Sequence, residues 1–451
     1  MSNRSELSVR TFTGTYLSAA AVFSFVAAFL SYIEHSTLAL AAILAALTSF
    51  PVLASRDRIR FDGKRLSRTG VIWRLFRYFT KQPSRMRTRA VIHVETESFR
   101  AVRRGPNVKY IYRTSLHGAD LSFRVASGRG YRAFIETVLP LIPDGCLDLK
   151  SIELRDHFVE ASVAMQRANT LNIPRSDVLE GGIEVKRQRK AHDASVAADT
   201  DAVERSDELR KVANELRTNG RLLQAIEAFR RAIRLTPRDP RLIYEFARCI
   251  QSLGAARRDK KLERKAHAML RLAELRSSGD SDLMSWLGET YFSMGEWRCA
   301  ERIFKRAAES GKAGYRNFRG LGELALRDGK IAHAINHFAK SAEVAGPRTL
   351  FRWANAETEY LRHINNDDEY MEVEIGRVNL FDTFDGIRRT AMRIFCVGLP
   401  FILIGVTLST SLVANIGWAV SGIALATAVF SALFKELFAS RIPFDLVDKE
   451  R

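Results

Sequence analysis

The sequence is poor in the residues that build covalent or metal-based frameworks. Its 451 residues include four cysteines, which are scattered along the chain with no CxxC spacing: Cys146, Cys249, Cys299 and Cys396. Neither a disulfide framework nor a zinc site is indicated, and this cysteine usage fits a reducing compartment. Acidic residues are also in the minority, with 51 Asp+Glu against 70 Lys+Arg and a formal net charge of +19. A hydrophobic share of 46% excludes wholesale disorder.

The sequence also lacks the side-chain arrangements that are typical of enzymes. His333 and His337 have the i, i+4 spacing of zinc-binding helices, but the glutamate of that motif is missing and no third ligand suggests itself. The glycine-rich run 127–130 is not followed by the lysine–serine pair of a phosphate loop. We therefore predict a protein that is not an enzyme and has no catalytic residue, no cofactor and no metal site.

Charge is almost absent from two long stretches of the chain. Between Arg10 and Arg56 the only charged residue is Glu34, and residues 394–434 hold none. Each stretch has room for two helices of about 20 apolar residues, the length that crosses a bilayer. We predict two transmembrane hairpins, over 15–54 and 394–434. A cleaved signal peptide is the alternative for the first stretch, but its apolar run would be shorter.

Lys and Arg flank both apolar stretches and are missing from the short loops inside them. Such an excess of Lys and Arg is typical of cytoplasmic segments. We therefore expect the N-terminus 1–14, the region 56–390 and the tail 435–451 to lie in the cytoplasm. The Ala- and Arg-rich composition favours a bacterial source, so the membrane would be the bacterial inner membrane.

The region 56–155 is strongly basic and has the pattern of β-strands. It holds 22 Lys+Arg and 9 Asp+Glu, and Asp62-Gly63 lies between two short runs, as in tight hairpin turns. We predict strands at 58–61, 64–67, 89–102, 109–115 and 119–126, followed by a helix at 131–142. This element order over 56–145 resembles the bacterial pleckstrin-homology-like domain. The resemblance implies a small β-rich domain.

Aromatic and cationic residues alternate within this basic region, over 70–82. One interpretation is an element that lies on the bilayer, with its aromatic rings in the interface and its cations at lipid headgroups. The residues concerned are Trp73, Arg74, Phe76, Arg77 and Lys81. The alternative is a core-packing helix whose basic side chains face water. Anionic lipid headgroups are thus one predicted partner, whereas the membrane tether disfavours nucleic acid.

A repeat of 34 residues occupies the region after a predicted linker, 156–205. Gly288 and Gly322 are 34 residues apart, as are four further pairs: Leu287 and Leu321, Gly295 and Gly329, Ala300 and Ala334, and Phe304 and Phe338. A helix–turn–helix pattern with this period is the signature of tetratricopeptide repeats, which the chain resembles over 206–345. The four repeats would begin at Ser206, Pro240, Ser281 and Tyr315. About seven extra residues around 255–261 would lengthen a turn or a helix of the second repeat.

The region 346–390 is predicted to contain a capping helix and an acidic connector. The capping helix would cover 347–363, with apolar residues facing inward: Leu350, Phe351, Ala354 and Leu361. The acidic run near Asp367 is interpreted as a solvated helix or as a partner for the basic domain, and not as a metal site.

The tetratricopeptide resemblance implies a concave groove lined by the first helix of each repeat. Carried over by position, the groove residues are Arg210, Asn214, Arg217, Tyr244, Arg248, Glu289, Phe292, Arg319, Glu323 and Arg327, with Arg241 and Arg316 nearby. The surplus of arginine predicts an acidic protein or peptide partner, gripped by bidentate carboxylate contacts. We expect these side chains to face water or the partner, not to pack between repeats.

The predicted fold is a multi-domain integral membrane protein. It combines α-helical transmembrane hairpins, a small β-rich domain and an all-α tetratricopeptide solenoid. The predicted function is a membrane-anchored scaffold that recruits or assembles partner proteins. The alternative is a non-catalytic component of a membrane transport or envelope-biogenesis machine, although the uncharged second hairpin argues against an ion path.

Overall fold

A computed structural model describes residues 7–11, 14–71, 73–74, 85–104, 107–118, 121–128, 130–180, 199–277, 279–311 and 313–438. The chain divides into two compact units. The first unit comprises Met1–Phe12, Arg58–Arg68 and Pro83–Asn355, and the second comprises Thr13–Asp57, Thr69–Gln82 and Ala356–Arg451.

Two antiparallel sheets form the β-rich part of the first unit. Their strands in the described part of the chain are β1 (Leu7–Arg10), β2 (Arg58–Phe61), β3 (Arg65–Arg68), β4 (Arg85–Arg87), β5 (His93–Arg104), β6 (Asn107–His117) and β7 (Ser122–Ala126). One sheet has the order β1-β2-β3-β4 and the other β5-β6-β7. The predicted turn at Asp62-Gly63 is confirmed. The Asp62 carboxylate accepts hydrogen bonds from the backbone N of Lys64 and Arg65, at 3.0 and 2.7 Å.

Strand β1 precedes the first apolar stretch and pairs with the strand that follows it. Leu7 lies opposite Phe61, and Arg10 lies opposite Arg58. Residues 1–14 were predicted to form a separate N-terminal segment. That prediction was wrong for Leu7–Arg10, which form a strand of the sheet. Since about fifty residues separate the two strands, no local pattern marks the partnership.

A helix closes the strand region, as predicted. This helix is α3 (Tyr131–Val138). The two helices before it in the chain, α1 (Gly14–Tyr32) and α2 (Ser36–Arg56, with a π-helical segment at Ala45–Ser49), belong to the second unit. The α3 side chains at positions 131, 134, 135 and 138 are buried in the first unit. Whether this small β-rich region is pleckstrin-homology-like stays a prediction.

Two helices lie within the predicted linker, 156–205: α5 (Ala161–Thr170) and α6 (Ser176–Glu180). Another helix, α4 (Leu149–His157), ends at the beginning of that region. Ala164 and Ala168 of α5 are fully buried in a cluster with residues of the helical repeats. Small side chains at i and i+4 lie on one face of α5 and allow that face to approach the helical repeats closely. The polar composition of the segment gave no sign of this packing. The polar run 181–198 lies outside the described residues.

Helical hairpins follow one another along the chain, as the 34-residue period predicts. They pair α7 (Asp199–Thr218) with α8 (Leu222–Leu235), α9 (Pro240–Arg257) with α10 (Lys260–Arg276), α11 (Ser281–Ser293) with α12 (Trp297–Glu309), and α13 (Tyr315–Arg327) with α14 (Ile331–Glu343). The extra residues of the second repeat lengthen both of its helices, to 18 and 17 residues, against 13 for each of the next four. Gly288 is required by close packing, because a Cβ there would lie 2.3 Å from the Phe304 ring.

Helix α15 (Arg348–Asn366) follows the last hairpin at the predicted position of the capping helix. Leu350, Ala354 and Leu361 are buried, as expected. Phe351 was expected to face inward, but 47% of it is exposed, so that assignment was wrong. One residue's shift along a helix turns a side chain by about 100°, which is enough to move Phe351 off the buried stripe.

The second unit contains the apolar helices. Helix α16 (Asp368–Thr407) is continuous from the acidic run into the apolar stretch, and α17 (Ser411–Phe438) follows. Asp367 caps α16 by accepting a hydrogen bond from the backbone N of Tyr370 at 3.0 Å, so the acidic run is helical, as predicted. In the described part of the chain, three helices are long and apolar enough to cross a membrane: Ser36–Arg56, Asn379–Thr407 and Ser411–Ala432. The apolar helix Tyr16–Tyr32 is shorter, so a fourth crossing stays a prediction.

Aromatic side chains join α1 to the second pair of apolar helices. The Trp418 ring lies 5.1 Å from Phe25 and 5.4 Å from Phe29, between ring centroids. The Tyr32 hydroxyl donates a hydrogen bond of 2.8 Å to Oδ1 of Asn415. Tyr32 is close to the turn between α1 and α2, and Asn415 is close to the turn between α16 and α17. Both turns therefore lie at the same end of this helical unit.

Small residues form the contact between α16 and α17. A Cβ added to Gly398 would lie 2.2 Å from Ser421 Oγ, and one added to Gly417 would lie 2.7 Å from the Ile402 backbone N. At Gly405 an added Cβ would lie 2.3 Å from the Ala414 backbone N. Small residues of this kind let two apolar helices approach each other closely along their backbones.

Replacing Gly405 by alanine should therefore push the two helices apart and destabilise the second unit. We expect a loss of about 1–3 kcal/mol, which is usual for overpacking. The measurement is unfolding of the full chain in mild detergent by added sodium dodecyl sulfate. Gly422→Ala is the matched control, since a Cβ there meets nothing within 4 Å. Equal effects of the two variants would contradict the close approach.

Candidate binding groove

Helix α4 is fixed to the strand region through its first turn. The Asp148 carboxylate caps the helix by accepting hydrogen bonds from the backbone N of Ser151 at 2.8 Å and of Thr96 at 3.3 Å. The hydroxyls of Ser151 and Thr96 are 2.8 Å apart, and Thr96 continues to Thr114 at 3.0 Å. Burial raises the pKa of Asp148 to about 6. Strand β5 therefore determines where α4 lies.

Glu153 extends from α4 to the first helices of the first two repeats. Its Oε2 lies 2.9 Å from Nη1 of Arg217 on α7, and its Oε1 contacts Nη1 of Arg248 on α9. The exposed fractions of the three side chains are 12% for Glu153, 7% for Arg217 and 17% for Arg248. Two guanidinium groups from neighbouring repeats thus share one buried carboxylate.

Opposing effects set the charge state of this carboxylate. Burial by itself raises the pKa of Glu153, because a charged group loses its hydration. The charges of Arg217, Arg248 and Lys150 outweigh burial and hold the pKa of Glu153 at about 2, below its usual 4.5. Since the folded-state pKa is lowered, the contact stabilises the fold fully above about pH 4.5 and loses that contribution as the pH falls toward 2.

Aromatic side chains hold Arg248 in place. Its guanidinium lies 5.7 Å from the centroid of the Tyr244 ring, and the Tyr244 hydroxyl lies 2.9 Å from Oγ1 of Thr290. The Tyr244 ring stacks on Trp286 with a centroid distance of 6.3 Å. Tyr244 is only 3% exposed. Tyr244 therefore contacts Arg248 within the protein and has little surface that another molecule could contact.

A second contact joins the segment before α4 to the fourth repeat. Arg316 of α13 donates from Nη2 to the backbone oxygens of Asp144 and Leu147, the latter at 2.5 Å. Its Nη1 binds both carboxylate oxygens of Glu289 on α11, at 2.7 and 2.8 Å. Segment 144–157 therefore contacts the first helices of the first, second and fourth repeats. The side of the array predicted to be an open groove is filled here by the chain itself.

Further contacts tie β6 to the first hairpin of the array. The Val108 backbone N donates to the Gly220 oxygen at 3.0 Å, and the Tyr112 hydroxyl donates to the Thr218 oxygen at 2.6 Å. Gly220 has φ +74°, and a Cβ there would lie 1.8 Å from the Val108 oxygen. Only glycine accommodates this turn. The strand region and the array are accordingly parts of one compact unit.

The expectation that the groove residues face water is wrong for Arg217, Asn214 and Tyr244, which are buried. Asn214 donates from Nδ2 to Oε2 of Glu245 at 2.7 Å. Arg210, which is 30% exposed, lies 3.7 Å from Glu245 and 3.2 Å from Asp207. This end of the face is occupied by hydrogen bonds and ion pairs within the chain.

The other end of the face is more accessible. Arg319 binds Glu323 at 2.7 Å, and its guanidinium lies 5.2 Å from the Trp353 ring centroid. Arg327 is exposed, with its guanidinium 3.9 Å from the centroid of the Trp297 ring. The half-buried Phe292 meets the same Trp297 edge to face at 5.0 Å. We call Phe292, Trp297 and Arg327 the accessible cluster.

The predicted lipid-surface residues are only partly described. Trp73 is half-buried and Arg74 is exposed. Phe76, Arg77 and Lys81 lie outside the described residues. The role of this segment at a membrane stays a prediction.

Glu153, to which Arg217 and Arg248 are bound, was not predicted from the sequence. A local signal existed. Within the strongly basic region, the segment 144–156 holds four acidic residues, Asp144, Asp148, Glu153 and Asp156. Complementary charge between this segment and the arginine-rich array was available from the sequence, but their proximity was not.

No site for a metal ion is found among the described residues, in which no group of three or more His, Cys, Asp or Glu side chains could hold one. Burial lowers the pKa of His337, with further lowering by the nearby Lys340 and by His333. That the chain is not an enzyme stays a prediction.

Comparison with known proteins gives only distant likenesses. No protein-family model matches the chain, and no curated protein matches it. Among solved structures, it is similar to a thermophilic TPR protein of Thermus thermophilus (22% identity, 36% of this chain and 86% of that one, TM-score 0.30). It is also similar to PilF of Pseudomonas aeruginosa, with 17% identity over 53% of this chain and 95% of that one and a TM-score of 0.31. A third similar structure is MamA, with 16% identity over 41% of this chain and 95% of that one and a TM-score of 0.26. The helical array is defined by the order and lengths of its own helices.

Replacing Glu153 by glutamine should strongly destabilise the first unit, because two buried guanidinium groups lose their counter-charge. Breaking a buried ion pair in this way costs about 3–5 kcal/mol. The measurement is urea unfolding of the full chain in detergent, followed by tryptophan fluorescence. Glu160→Gln is the matched control: it removes an exposed pair with Arg132 at 3.6 Å, of the kind worth about 0–1 kcal/mol. A loss under 1 kcal/mol for Glu153→Gln would contradict the role given to this carboxylate.

Proposed function

We propose that this protein is a membrane-anchored scaffold that binds a protein partner beside the membrane and does no chemistry. The observation that carries the proposal is the arrangement of the chain. A single compact unit, built of the strand region and the helical array, is connected at both ends to helices apolar enough to cross a bilayer. Helical-hairpin arrays of this kind expose extended surfaces suited to protein partners.

The sheet pairing supports anchoring by hairpins. Arg10 and Arg58 lie opposite each other in adjacent strands, before α1 and after α2. The chain must therefore leave and re-enter the strand region at one place, as a membrane hairpin does. The contact of Tyr32 with Asn415 supports the same orientation for the second hairpin, because it joins the two turns. With Lys and Arg on the flanks, the proposal places the soluble unit in the cytoplasm, at the bacterial inner membrane.

The partner surface we propose is the accessible cluster. Segment 144–157 already fills the face near Arg217 and Arg248. Phe292 and Trp297 offer aromatic area, and the exposed Arg327 offers a fixed cation held against an aromatic ring. Aromatic and arginine side chains dominate the binding energy of protein interfaces. An acidic partner segment with an apolar anchor fits this chemistry.

A photoreactive benzoylphenylalanine at Phe292, introduced into the full chain in its native membrane, should crosslink to a defined partner. The reason is that Phe292 borders the proposed surface. The matched control is the same replacement at Phe351, an exposed phenylalanine of α15. Crosslinked products are separated by size and identified by mass spectrometry.

Arg327→Glu should reduce the Phe292 adduct at least tenfold, because it reverses the cation that meets an acidic partner. The same adducts at both phenylalanines, or an adduct that Arg327→Glu leaves unchanged, would contradict this partner surface.

A further inference from the structure

The four-stranded sheet has a face that the scaffold proposal does not use. Its strands have the sequences LSVR, RIRF, RLSR and RMR, which contain seven arginines and no acidic residue in fifteen positions. Side chains alternate between the two faces of a strand, so the register decides where these arginines lie.

One face of this sheet is mostly apolar and buried, and by register it also carries the seventh arginine, Arg68, which lies opposite Ile59. Val9 lies opposite Ile59, Phe61 opposite Leu66, and Leu66 opposite Met86. All five of these side chains are at most 5% exposed. The other face must therefore carry the alternate positions. It presents six exposed arginines, which we call the arginine face: Arg10, Arg58, Arg60, Arg65, Arg85 and Arg87.

Like charges lie directly opposite each other on the arginine face. Arg10 pairs in register with Arg58, and Arg65 pairs with Arg87. Such pairs destabilise a sheet, because cross-strand neighbours are about 5 Å apart. Asp62, at the adjoining turn, accepts hydrogen bonds from the backbone N of Lys64 and Arg65, which lower its pKa, and the charges of Arg65 and Arg85 lower it further. An anion bound across this face would weaken the repulsion between Arg65 and Arg87.

Two residues of the arginine face lie close in sequence to the apolar helices. Arg58 follows the last residue of α2 by two positions, and Arg10 precedes the first residue of α1 by four. Two extended residues span roughly 7 Å. Chain connectivity alone thus keeps the first row of cations within about one Debye length, near 10 Å at 0.1 M salt, of the end of α2.

From this geometry we infer that the arginine face binds the phosphates of anionic lipid headgroups. The planar guanidinium group forms paired hydrogen bonds with phosphate oxygens, and rows of such groups on a rigid sheet suit a layer of phosphates. Attraction of cations to an anionic membrane surface adds to this binding. The inference depends on the proposed membrane anchoring, but not on the identity of a protein partner.

The test is a titration of the full chain in neutral detergent micelles with phosphatidylglycerol or phosphatidylcholine, counting bound lipids by native mass spectrometry. Arg10→Gln combined with Arg85→Gln removes two cations of the arginine face and leaves its buried side intact. Each cation near an anionic surface is worth about 1 kcal/mol, so phosphatidylglycerol affinity should fall roughly 30-fold. Phosphatidylcholine binding should change little.

The matched control is Arg230→Gln combined with Arg264→Gln, which removes the same charge from exposed positions of the helical array. It should keep the phosphatidylglycerol affinity of the parent chain. Equal losses in the two double variants, or equal affinity of the parent for both lipids, would overturn the inference. Thermal melts of both variants verify that folding is unchanged.

Two competitors separate lipid from other sources of phosphate. Inorganic phosphate at the same concentration should not displace phosphatidylglycerol, and complete displacement would assign the face to free phosphate. A DNA oligonucleotide that binds more tightly than the lipid, and loses its binding in the Arg10/Arg85 variant, would assign it to nucleic acid. Either result would overturn the assignment to lipid headgroups. These readouts do not depend on the crosslinking that tests the scaffold proposal.

Discussion

The buried carboxylate of Glu153 joins three helices of the first unit, α4, α7 and α9. An ion taken out of water must be paired, and here two arginines from neighbouring repeats share one acid. Because the carboxylate comes from α4, and α4 is capped by Asp148 against β5, the ion pair fixes the strand region to the array. The contact of Arg316 with the backbone before α4 adds a second attachment at the fourth repeat.

This constraint changes how the repeat surface is understood. Arginines at the concave positions of an array suggest a receptor for acidic peptides, yet Arg217 and Arg248 already bind an acid from their own chain. In the proposal, the protein partner binds at the accessible cluster around Trp297, and the arginine face of the sheet binds anionic lipid headgroups. A scaffold built in this way would hold its partner surface in a set orientation to the strands, of which β1 leads into α1 and β2 follows α2.

The sequence predicted the features that depend on local or periodic signals. Asp62-Gly63 marked its turn, the 34-residue period marked the hairpins, and the charge-free stretches marked the apolar helices. It did not predict contacts between distant segments. The pairing of Arg10 with Arg58 spans a whole hairpin, and the position of Glu153 between Arg217 and Arg248 depends on how two folded parts meet. Both arginines were expected to face water or a partner, and the sequence could not show that they bind an acid of their own chain.

Segment 144–157 occupies the repeat face of the first unit. Hydrogen–deuterium exchange of the full chain in detergent tests this arrangement most directly, because buried and docked helices exchange only when the unit opens. We predict that the α4 amides are protected as strongly as those of α7 and α9, the helices that bear Arg217 and Arg248. Exchange of α4 several orders of magnitude faster than that of α7 and α9 would show that the segment leaves the face, and would contradict this arrangement.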